Sequence, residues 1–166
     1  MITEAENQRY IELQQIALDA SRRGDTNTLR PMVEAGLPVD LQDEKGNTLL
    51  MLASYHGNVD TVRMLLANGA NPDARNDREQ TPLAGVAFKG YLEVAQVLVE
   101  GGADANADQG GGRTPVMFAA MFGHQAMVEY LESITEEQED SRVWGVKVDT
   151  LARFTGGVRR LFQKSA

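Results

Sequence analysis

Two histidines, His56 and His124, are the only side chains in the 166 residues whose ordinary pKa lies near neutrality. The carboxylates at Asp40, Asp73 and Asp104 recur along the chain with Asn106, and a GGGR run ends at Arg113. General acid–base work would need two such groups converging on one reacting atom. Neither histidine has an acid or a nucleophile at a spacing that achieves this. The aspartates sit in Gly-Leu-Pro-Val-Asp, Gly-Ala-Asn-Pro-Asp and Gly-Ala-Asp contexts, where a short acidic side chain serves a turn. The glycines of GGGR follow no strand pattern, so they do not make a phosphate loop. No set of ligands has coherent metal-binding spacing. The chain has no cysteine, which removes disulfides, thiolate ligands and a cysteine nucleophile, and suits a reducing compartment. The residues therefore point away from an enzyme and predict neither cofactor nor metal.

Charge narrows the partner. The net charge is −8, and it is unevenly spread. Residues 1–140 hold 10 basic and 23 acidic side chains, a net of −13, whereas 141–166 hold 6 basic and 1 acidic, a net of +5. Phosphate backbones select surplus Lys and Arg, so nucleic acid is not the expected partner. The first residues, MITEAENQRY, lack the basic start and apolar run of a secretory signal. VMFAAMF (116–122) is too short to span a bilayer. The expected setting is the cytoplasm.

The elements that position these residues are set by a repeat of 33. Thr48, Thr81 and Thr114 keep this step, as do Gly24, Gly57, Gly90 and Gly123, and Gly36, Gly69 and Gly102. Ala20, Ala53, Val86 and Ala119 form another such column. Several columns with one period define an array of stacked units. Within a unit, Thr suits a helix N-cap and Pro82 the first helical position. Gly57, Gly90 and Gly123 fall where a first helix must end in a left-handed residue, and Gly69 and Gly102 where a second one ends. Val62, Leu65 and Leu66 share one face of the second helix.

The segments NTLLMLASYHGNVDTVRMLLANGANPDA, QTPLAGVAFKGYLEVAQVLVEGGADANA and RTPVMFAAMFGHQAMVEYLE resemble ankyrin repeats, and IALDASRRGDTNTLRPMVEAGLPVDLQ resembles a weaker first copy. The resemblance covers about residues 10–132. It implies an all-α solenoid of helix–turn–helix units joined by short β-hairpin loops. The units expected are an N-terminal cap with the first repeat (1–42), a second (43–75), a third (76–108), a fourth with an acidic connector (109–140), and a basic C-terminal segment (141–166). The chain departs from the family where Leu49 replaces Pro after Thr48 and where Met51, Ala84 and Met117 replace its histidine. Glu79 stands where the other loops have Gly46 and Gly112, so that loop is expected to be strained or differently shaped. DQGGGR (108–113) is expected to be mobile. At the N-terminus, Thr3 and Glu6 have capping-box spacing, and Ile11 and Leu18 share a face. The basic segment is in frame with a degenerate fifth repeat through Leu151, Ala152 and Gly156. It also reads as an amphipathic piece, with Trp144, Phe154 and Phe162 beside Arg153, Arg159 and Arg160, for a partner or anionic lipid.

The resemblance also places function. In such stacks the two residues before the helix-ending glycine line the concave face, and here they run Arg22, Tyr55, Phe88, Met121 and Arg23, His56, Lys89, Phe122. Large apolar side chains in solvated columns are expected to be interface anchors, the alternative being that they pack against neighbouring repeats or under the hairpins. The hairpin tips add Glu44, Lys45, Asn47, Asp77, Arg78, Gln80 and Arg113 for orientation. His124, in the family's Gly-His position, is expected to tie turns together. The expected function is a monomeric protein-binding module. Small bacterial ankyrin proteins of this layout imply an adaptor, either supporting an enzyme such as a catalase or delivered into a host cell. The alternative is a peripheral membrane adaptor that uses the basic segment.

Overall fold

The computed structural model describes residues 3–142, with side chains through residue 135. The chain forms two compact units, Met1–Val128 and Glu129–Ala166. The first contains three helix pairs and the opening helix of a fourth. Helices α1 (Glu4–Arg23) and α2 (Thr26–Glu34) form the first pair, α3 (Leu49–Tyr55) and α4 (Val59–Ala67) the second, and α5 (Pro82–Lys89) and α6 (Leu92–Glu100) the third. Helix α7 (Pro115–Met121) opens the fourth, followed by α8 (Gln125–Arg142). First helices stack α1 on α3, α3 on α5 and α5 on α7, and second helices stack α2 on α4 and α4 on α6. The buried layer between them is the core, with Leu29, Leu50, Leu65, Leu83 and Leu98 fully enclosed. Ala20, Ala53, Val86 and Ala119 are also fully buried, as their small size at helix crossings requires.

Each first helix ends as its glycine dictates. Gly24, Gly57, Gly90 and Gly123 all lie at φ between 72° and 76°. The following amide then reaches back to the helix: Asp25 N–H donates to the Ala20 carbonyl (2.9 Å), Asn58 to Ala53 (3.0 Å), Tyr91 to Val86 (3.4 Å) and His124 to Ala119 (2.9 Å). The second helices close similarly, with amides of Leu37, Ala70 and Ala103 bonded to Met32, Leu65 and Leu98. Thr48 and Thr81 cap α3 and α5 by accepting from the amides of Met51 and Ala84. Thr114 makes no such side-chain cap, and the Met117 amide bonds to its carbonyl instead.

The expected β-hairpin loops take a different form. The loops are tight tips without strands among the described residues: one isolated antiparallel bridge joins Gln42 and Thr48. Each tip is closed by one bond of the same column, Asp43 N–H to Asn47 carbonyl, Asn76 to Gln80 and Gln109 to Arg113. Glu79 adopts φ 60°, the single non-glycine residue in the left-handed region among the described residues, so its loop keeps the common shape at the cost of strain. The N-terminal helix is 20 residues long, and the Thr3–Glu6 capping box is formed. Its first three turns bury nothing, and Tyr10, Ile11, Leu13 and Ile16 are exposed. The acidic stretch 133–140 continues α8 as helix.

Candidate functional site

Asp40, Asp73 and Asp104 are spent on backbone. Asp40 accepts from the Asn71 amide (3.0 Å) and Asp73 from the Asp104 amide (2.9 Å), each bond joining one repeat's turn to the next. Asp104 accepts from the Asn106 amide (2.9 Å). The His124 ring bonds through Nε2 to the Phe88 carbonyl (2.9 Å), tying its turn to the preceding helix end. His56 Nδ1 lies 2.8 Å from the Leu52 carbonyl of its own helix. Among the described residues no group of three His, Asp or Glu side chains converges as a metal site. Two other side chains behave as His124 does. Asn58 donates to the Ser21 and Arg22 carbonyls (3.0 Å each), and the Tyr91 ring packs on Gly57. The residue after each helix-ending glycine thus reaches back over the previous glycine, a column visible in the sequence only at His124.

The hairpin tips are held by one buried-side carboxylate or amide each. Asp43 accepts from the Lys45 and Asn47 amides and from the Asn47 side chain, and it pairs with Arg22 at 3.2 Å. Partial burial works to raise the Asp43 pKa. The hydrogen bonds from Asn47 and from the Lys45 amide, with the Arg22 charge, outweigh it and hold the carboxyl below its usual range. Asn76 repeats the arrangement, accepting from the Arg78 and Gln80 amides (3.0 Å each). Neighbouring tips are linked by Asn76 Nδ2 to Asn47 Oδ1 (2.9 Å) and by the Asp77 amide to the Lys45 carbonyl (3.1 Å).

Between these tips and the first helices runs a groove of about 500 Å³. It gathers Tyr55 and Phe88 with the tip residues Lys45, Asn47, Asp77, Arg78 and Gln80. Leu52, Gly85 and Phe118, which lie outside the two columns before the helix-ending glycines, also line it. A second depression of about 590 Å³ shares Lys45, Asn47 and Leu52, continues along α1 past Ile11 and Leu18, and is also lined by the tip residue Glu44. Arg113 lines neither; its guanidinium donates to the Gly110 carbonyl (2.9 Å). Asn47, with both side-chain atoms engaged, serves the tips before it serves any partner.

The aromatic column is partly packed upon itself. The Tyr55 and Phe88 rings are nearly parallel, 11° apart with centroids at 6.4 Å, and Phe122 meets Phe88 edge-on at 4.3 Å. His56 is edge-on to Tyr55, and the Lys89 ammonium lies 5.1 Å from the Tyr55 ring centre and 5.8 Å from that of Tyr91. Solvent still reaches the row: Tyr55 is 44% exposed, Met121 69% and Phe122 49%, with Met117 beside them at 50%. Among the described residues no helix is long and apolar enough to cross a membrane. The basic-segment residues Trp144, Leu151 and onward lie outside the described residues.

Stacked helix pairs of one period, closed by glycine and bridged tip to tip, define a helical-repeat solenoid. A family model for ankyrin repeats, three copies long, matches residues 17–109 and again 68–140, and the chain belongs to the ankyrin-repeat family. Members of this family generally act as protein–protein interaction modules. No curated protein gives a significant match.

Proposed function

We propose that the chain is a monomeric, non-catalytic adaptor of the cytoplasm that grips one partner protein along the face formed by its first helices and hairpin tips. The observation that carries this reading is the exposed row Tyr55, Met121 and Phe122, of which Tyr55 lines the groove at the tips and Phe122 packs on the groove residue Phe88. A large ring or thioether left in water on a stiff scaffold offers contact area with little ordering cost on binding. His56, Lys89 and Phe88 support the row through ring contacts. Lys45, Asp77, Arg78 and Gln80 frame the groove and set the orientation of the partner.

A photo-reactive amino acid placed at Tyr55 or Met121 in cells should give one dominant protein adduct. The same group at Arg30 or Arg63, on the second helices, should not. Tyr55→Ser with Met121→Ser should remove the adduct formed from Phe122 while the far-ultraviolet dichroism stays unchanged. Equal adducts from both faces would end the proposal.

A further inference from the structure

One helical column of the groove holds Leu52, Gly85 and Phe118, so a glycine stands between two large side chains. Gly85 lies inside α5, where glycine weakens a helix relative to alanine. Its φ is not in the left-handed region, and an added Cβ would meet only Tyr55 Cδ2 at 3.5 Å, an ordinary contact. Neither backbone nor packing therefore demands glycine here, unlike Gly90, which needs both. What the missing side chain does is leave open space in the groove lining beside the Tyr55 ring, the only atom group an added Cβ would meet.

The charges at this opening differ from those of the stack around it. Lys45 and Arg78 line the groove, and Lys89 sits against the Tyr55 wall. None of the three is in an ion pair among the described residues, where the pairs formed use Arg22, Arg63 and Arg75. Asp77 is the one acid lining the groove, and its Oδ1 lies close over Gly46 at the neighbouring tip, 2.6 Å from where a Cβ would stand. Glu44 faces the adjoining depression. The groove mouth is thus locally cationic, while residues 1–140 carry a net of −13.

We infer that Gly85 is the specificity-determining position of the groove, and that the partner inserts one bulky aromatic or aliphatic side chain above it with carboxylates flanking that anchor. This rests on the binding face proposed above and adds the chemistry of what that face selects. An apolar anchor in a notch supplies the bulk of such an affinity, and the flanking charges supply discrimination.

The test uses the full chain and blocked pentapeptides with a central Phe flanked by two Glu on each side. Amide resonances of Tyr55, Gly85 and Phe88 should shift saturably on titration. Peptides with Lys flanks or a central Ala should bind at least about tenfold more weakly. Gly85→Leu, which improves helix propensity while filling the notch, should lose binding by a similar factor without a lower melting temperature. Equal binding of the Lys-flanked peptide, retained binding by Gly85→Leu, or no shifts with any peptide would overturn the inference. Photo-crosslinking at Met121 separates the two levels. An adduct that persists in Gly85→Leu removes the anchor but keeps the binding face, whereas no adduct in the unmodified chain removes the face itself.

Discussion

Ser21 and Ser54 occupy the same column, 33 residues apart, and both are fully buried. Ser21 Oγ donates to the Leu49 carbonyl of the next repeat at 2.6 Å, whereas Ser54 Oγ has no hydrogen-bond partner among the described residues. A buried hydroxyl without a partner retains its desolvation cost and returns nothing. Ser54→Ala should therefore raise unfolding stability by about 1 kcal/mol, and Ser21→Ala should lower it by about 1 kcal/mol. Urea denaturation followed by circular dichroism reads both, and a loss of stability in Ser54→Ala would contradict the assignment. The column identifies these two serines as equivalent. Which of them finds an acceptor depends on the backbone of the neighbouring repeat, and that no single-position reading supplies. Glu79 is the opposite case: the missing glycine announced the strain, and φ 60° carries it.

At the scale of the element, the helix ends were legible because a left-handed residue and a reversal of chain direction are local requirements. The second demand on those glycines was not. A Cβ on Gly90 would stand 2.5 Å from His124 Nδ1, and one on Gly24 2.8 Å from Asn58. Gly90→Ala should cost more than the roughly 1 kcal/mol of the left-handed conformation alone, on the order of 2–3 kcal/mol, because the His124 bond to Phe88 must shift as well. Pairing it with His124→Ala should recover the part owed to the clash, which a double-mutant cycle in denaturant measures. Additive losses would show that conformation alone sets the cost. The reach-back of Asn58 and Tyr91 has no shared side-chain type, so periodicity gave no hint of a common task.

Across the Met1–Val128 unit, stability is a sum of interfaces between neighbouring repeats, and the ends have one neighbour where the middle has two. Amide exchange should be slowest in α3 to α6, which carry the densest run of fully buried residues. It should be near the free-chain rate from Glu4 to Leu13, where every side chain is exposed. Strong protection of that stretch in the isolated protein at low concentration would mean that its exposed Tyr10, Ile11 and Leu13 are covered.

The sequence by itself determined the period, the class of fold, the helix ends and the column in which the rings recur, because each follows from contacts a few residues apart repeated at a fixed step. Only the tertiary structure decided which rings remain open, which tip residues are already spent and where the groove lies. Those outcomes arise between repeats. Phe88 is sandwiched by Tyr55 and Phe122, and Asn47 is consumed by Asp43 and Asn76, through the packing of one copy on the next.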